Sequence, residues 1–152
     1  MEPKLRSKTA LITTPTRHFV DASIAAGSLK ISPEDLLNDH KTFRFFFEDM
    51  IIRDLSVYAQ YLSGQIEHYR DSNGFECGAV MRLDNGKYAL IEAKLGGEGF
   101  INEGRKNLLS LRQRIRESGE KEPLFMMIVT ASGPSYTIEG GIHVVPLNIL
   151  KA

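Results

Sequence analysis

The stretch GFECGAVMRLDNGKYALIEAKLGG, residues 74–97, decides the fold. Two apolar runs, 75–83 and 87–94, flank Asp84-Asn85-Gly86. That tripeptide signals a hairpin, because tight turns between strands need the positive φ that Asn and Gly tolerate. The second run is apolar on both faces until its end, as expected for a strand inside a sheet. It closes on Glu92-Ala93-Lys94. A charged pair ending a core strand is costly unless it opens into a cleft or is put to use.

Working outward, a long helix is expected over residues 40–62. Phe43, Phe46, Phe47, Met50, Ile51, Leu55, Tyr58 and Leu62 recur there at three- and four-residue spacing, which makes one apolar stripe that must lie on a sheet or on other helices. Before it, Ser32-Pro33-Glu34-Asp35 opens a short helix to about residue 38, with a Ser cap, Pro in the first turn and two acids. Asp21 caps a small helix of apolar and small residues. Residues 17–21 read as a short strand, and 1–16 as an extended lead-in to one domain spanning 17–152. A third strand, 66–70, precedes the hairpin. After Gly96, Gly97 and Gly99 comes a second long helix, about 101–118, with Leu108, Leu111 and Ile115 on one face. The run PLFMMIVT, 123–130, reads as a buried strand parallel to its neighbour across that helix. SYTIE and IHVVP, around Gly140-Gly141, form a last pair of strands. The expected class is α/β with a mixed sheet flanked by helices, in the order helix, three strands, helix, strand.

Composition narrows the function classes. With 152 residues the chain holds one domain with a real core and not two. Its 19 basic and 19 acidic side chains cancel, so no global field draws in nucleic acid or an anionic membrane, and any such binding needs a local patch. The single cysteine, Cys77, excludes an internal disulfide framework and fits a reducing cytoplasm. No apolar run approaches the roughly 20 residues that span a bilayer, and the N-terminal residues carry no secretory signal.

The chemistry lies in the hairpin. Side chains alternate along a strand, which places Glu76, Gly78 and Val80 on one face and Cys77 on the other, with Glu92 and Lys94 sharing a face of the next strand. Across an antiparallel pair, Glu76, Glu92 and Lys94 then gather, and two acids with a lysine suit magnesium or manganese: carboxylates bind the hard cation, and the ammonium positions water or stabilises phosphate charge. Glu-x-Lys by itself also occurs in ordinary charged strands, where it is a solvated strand end.

These residues in this order resemble the core of the PD-(D/E)xK, or restriction-endonuclease-like, superfamily, whose αβββαβ arrangement the expected elements match. More narrowly, PTRHFVDASIAAGSL, FFFEDMIIRDLSVYA, HYRDSNGFECGAVMRL, GKYALIEAKLGG and HVVPL resemble a domain of unknown function at the C-terminus of prokaryotic AAA+ ATPases, covering most of residues 15–147. The resemblance implies a nuclease-like fold behind an N-terminal ATPase region. No Gly-x-x-x-x-Gly-Lys-Ser/Thr occurs in this sequence, so ATP hydrolysis is not expected of it. It further implies Glu92 and Lys94 as site residues, Glu48 on the first core helix as an accessory metal ligand beside Glu92, and an aspartate where this chain has Gly78. Glycine has no ligating side chain, and Glu76, two residues along, stands about 6–7 Å from that position. The expected function is a degenerate nuclease-like accessory domain that binds nucleic acid or a partner. Its alternatives are an active magnesium- or manganese-dependent phosphodiesterase using Glu76, and an assembly module that forms homo-oligomers through residues 43–47.

Each sharp reading has a plain counterpart. Glu48 fits equally an ion pair with Arg44 or Arg53. Arg105, Lys106, Arg112 and Arg116, with Arg114 and Lys121, either track a phosphate backbone or form a solvated helix face partnered by Glu103, Glu117 and Glu120. The four histidines lack metal spacing.

Overall fold

A computed structural model of the chain describes residues 18–19, 21–70 and 75–151. Two short helices lead in. Helix α1 (Ala22–Leu29) is capped by the Asp21 carboxylate, which accepts from the Ser23 amide. Helix α2 (Pro33–Asn38) opens with a reciprocal capping box between Ser32 and Asp35. Helix α3 (His40–Tyr61) follows after Asp39, whose carboxylate caps it. Strands β1 (Gly64–Arg70), β2 (Glu76–Leu83) and β3 (Tyr88–Lys94) form an antiparallel meander. Helix α4 (Glu98–Glu117) then crosses over to β4 (Met126–Thr130), which lies parallel to β3. A hairpin, β5 (Tyr136–Ile138) and β6 (Ile142–Pro146), completes one six-stranded sheet in the order β1-β2-β3-β4-β6-β5. The expected α/β architecture is therefore observed. The strand expected over 17–21 is not: His18 and Phe19 belong to no strand, and Arg17 and Val20 lie outside the described residues, as does the 1–16 lead-in.

The sheet separates two apolar layers. On one face α3 sets Phe47, Ile51, Leu55 and Ala59, spaced four apart, against Ala79, Met81, Ala89, Ile91, Met127 and Val129. On the other face α4 sets Leu108, Leu111 and Ile115 against Val80, Leu90, Met126, Ile128, Ile142 and Val144. The α3 stripe is narrower than the periodicity suggests. Phe43 and Phe46 are only half-buried, and Leu62, past the helix end, is exposed.

One irregularity positions the site. The β1–β2 register runs Glu67↔Val80 and then Tyr69↔Cys77, so Gly78 and Ala79 of β2 both stand opposite His68. Such a bulge reverses the side-chain alternation beyond it. Ala79 accordingly packs in the α3 layer while Cys77, two residues earlier, packs in the α4 layer with Val80. The alternation expected from sequence fails at this point. Cys77 is on the face assigned to Glu76, and Glu76 turns to the other side, next to Arg70.

Candidate functional site: a buried charged pair at the end of β3

Glu92 and Lys94 extend the row begun by Leu90 and so face α4. Both are 7% exposed, which rules out a solvated strand end. Helix α4 comes close over them because Gly104 faces the sheet. A Cβ there would stand 3.2 Å from Ile128 Cδ1 and 3.4 Å from Lys94 Cε, tighter than the surrounding packing accommodates freely. The Lys94 stem thus runs beneath the glycine, and its Nζ donates to Glu103 Oε1 on α4 at 2.9 Å. The Lys94 side chain is 8% exposed and that of Glu103 is 55% exposed, so the pair joins the interior to the surface.

Glu92 accepts from the backbone N–H of Gly78, at the bulge. Burial pushes its carboxyl up to about 7. The Lys94 ammonium and the Gly78 amide oppose that rise, and the charges of Glu48 and Glu103 add to it. A carboxyl so placed is divided between its neutral and ionised forms at neutral pH. Glu48, on α3, pairs with Arg44 at 3.2 Å, one of the two partners anticipated for it. Burial also raises its pKa, and the Arg44 and Lys94 charges lower it. Glu48 therefore senses Lys94 from the far side of the strand end, although no hydrogen bond joins them among the described residues. Cys77 neighbours Glu92 as well. Burial, with the Glu92 charge, pushes its thiol up to about 12, and its Sγ lies 3.5 Å from Ala79 O and 3.6 Å from Ile91 O. That thiol is unreactive at neutral pH.

The other expected site residues do not converge here. Glu76 is exposed and pairs with Arg70 at 3.0 Å, and its charge is not among those acting on Glu92. Arg105 pairs with Glu139 at 3.4 Å, Arg112 donates to the Gly140 carbonyl at 3.0 Å, and Arg116 grips Glu122 through two bonds of 2.7 and 3.0 Å. Lys106 is exposed on the same helix. The acids expected to partner these cations, Glu103, Glu117 and Glu120, are not the ones that do. A groove of about 560 Å³ lies between α4 and β5, lined by Ile101, Arg105, Tyr136, Ile138 and the acids Glu98 and Glu139. It shares no lining residue with the Glu92–Lys94 pair.

The donor set does not fit a magnesium ion. Such an ion asks for near-octahedral oxygen ligands, and among the described residues no three His, Cys, Asp or Glu side chains are grouped to hold a metal. At the bulge Gly78 contributes backbone only. A Cβ on Gly78 would meet a single atom, Ile91 O at 3.7 Å, an ordinary van der Waals contact.

A family model described as "Domain of unknown function (DUF4143)" matches residues 44–150. The chain belongs to that family. The matched span runs from inside α3 to the end of the fold and takes in Glu48, Gly78, Glu92, Lys94 and Glu103, while α1 and α2 precede the DUF4143 region. No curated protein and no solved structure matches the chain. No described helix is long and apolar enough to cross a membrane.

Proposed function

We propose that this DUF4143 domain is a nuclease-like accessory module of an AAA+ ATPase, with a degenerate catalytic centre that binds a phosphate-bearing partner, nucleic acid first among them, without cleaving it. One observation carries the reading: a carboxyl–ammonium pair buried at the end of a central strand, beside a bulge that supplies an amide in place of a carboxylate. Burying two charged groups destabilises a fold unless they pair or serve a ligand. The helix–three strands–helix–strand order, with the pair at its β3 terminus, is what the PD-(D/E)xK resemblance implies. Lys94 is the group that would meet a phosphate oxygen, and Lys106 would extend that contact along α4. Glu92, in its neutral form, would not repel the anion.

The active phosphodiesterase reading requires Glu76 to replace the missing aspartate. The bulge and the Arg70 pair weigh against it. The assembly reading draws on Phe45, which is 52% exposed beside Arg44, but Phe47 is core.

Two assays on the purified chain separate these readings. Fluorescence anisotropy with single- and double-stranded DNA at low salt should show binding. Incubation with plasmid and single-stranded DNA plus manganese should leave both uncut. Cleavage abolished by Lys94→Met would establish the enzyme instead. A chain that bound no DNA or RNA at low salt would remove the nucleic-acid reading.

A further inference from the structure

Lys94 has a counter-ion of an unusual kind. Its ammonium is almost wholly buried, yet the carboxylate it bonds, Glu103, is more than half exposed. Glu103 sits in the second turn of α4 and has no other hydrogen-bond partner among the described residues. Its side chain can rotate into water about its own χ angles without unpacking the helix, whereas Lys94 cannot leave. No hydrogen bond or ion pair joins Glu92 to Lys94 among the described residues, so Glu92 does not replace Glu103 as its bonded counter-ion. An anion that approaches Lys94 from the α4 side therefore meets the Glu103 carboxylate already bonded to Nζ.

We infer that Glu103 is a displaceable counter-ion that closes the Lys94 site, and that a phosphate group of the bound partner opens it by exchanging with the Glu103 carboxylate on Nζ. The inference rests on the proposed phosphate-binding role of Lys94 and adds a positioning residue to it. No covalent step is involved: one charge-assisted hydrogen bond is exchanged for another. The exchange makes affinity depend on an internal competitor, which discriminates against weak anions such as chloride and favours multiply charged phosphate.

The test is a double-mutant cycle on the full chain, with two probes. One is a short fluorescein-labelled single-stranded DNA followed by anisotropy. The other is inorganic phosphate followed by the backbone amide NMR shifts of β3 and α4, which are readable with and without Lys94. Glu103→Gln should tighten binding of both probes by about threefold to fivefold, the range expected when a half-exposed ion pair no longer competes. In the Lys94→Met background the same change should have no effect. Glu117→Gln, which removes an equal charge from the same helix far from Lys94, should leave phosphate affinity unchanged, and Glu103→Asp should restore most of the competition. Circular dichroism confirms that each variant is folded.

Two results overturn the inference: Glu103→Gln leaves phosphate affinity unchanged, or it tightens binding equally with and without Lys94. Absence of phosphate binding in every variant overturns it too. If phosphate competes with Glu103 as expected while DNA does not bind, the counter-ion exchange stands and the nucleic-acid reading fails.

Discussion

Replacing Glu92 by Gln should change how stability depends on pH. In the folded chain its carboxyl is raised from 4.5 to about 7, chiefly by burial. The folded state therefore holds a proton on Glu92 over a range in which the unfolded chain has released it, and stability falls as pH rises through that window. The carboxyl destabilises least below about pH 4.5 and most above about pH 7. A rise of that size, at about 1.4 kcal/mol per unit, corresponds to ~3 kcal/mol. Gln keeps the shape and can still accept from the Gly78 amide, but it does not titrate. Urea denaturation followed by far-UV circular dichroism suits a chain without tryptophan. Wild type and variant should be nearly equal in stability around pH 4.5, with the variant ahead by ~3 kcal/mol above about pH 7.5. Taking the difference removes the opposite trend of Asp21, Asp35 and Asp39, whose cap hydrogen bonds lower their pKa values. Parallel curves across the whole window would refute the claim that Glu92 is held in a desolvated site.

Gly78→Asp should fold, since its Cβ meets only Ile91 O at 3.7 Å, and calorimetry should then detect manganese binding that the wild type lacks, with plasmid nicking as the further readout. Glu76→Ala should change stability by no more than about 1 kcal/mol, because it removes only an exposed pair with Arg70, and it should leave DNA affinity intact. Leu111→Ala, at a position 2% exposed in the α4 layer, should lower unfolding free energy by about 2–5 kcal/mol in the same urea assay.

The helices were legible in the sequence because their ends carry local chemistry. Ser32, Pro33 and Asp35 make a capping box readable from three letters, and Asp21 and Asp39 cap by the same short-range bonds. The strands were legible from apolar runs and from the Asn85-Gly86 turn, where Gly86 takes a φ of 78°. The bulge was not. A strand reads as strictly alternating until it is paired, and the extra residue at 78–79 appears only when β1 is laid beside β2. That one residue moved Cys77 to the Glu92 side and took Glu76 away from it. Glu103 was also missed, because it reads naturally as an i, i+3 or i, i+4 partner for its own helix's cations. Its real partner is Lys94, nine residues earlier, across the glycine loop. The usable signal was Lys94 itself: a lysine ending a core strand needs a counter-charge, and the first turns of the next helix are within reach of it.

Equilibrium binding of single-stranded DNA as a function of salt, for wild type and for Lys94→Met, tests the central claim that the buried end of β3 receives a phosphate. Each contact of this kind contributes about 0.7 to the slope of log K against log salt for a single strand. The account predicts binding by the wild type, and a slope shallower by about that amount in the Met variant together with weaker binding at low salt. Identical salt curves for the two folded proteins would contradict it.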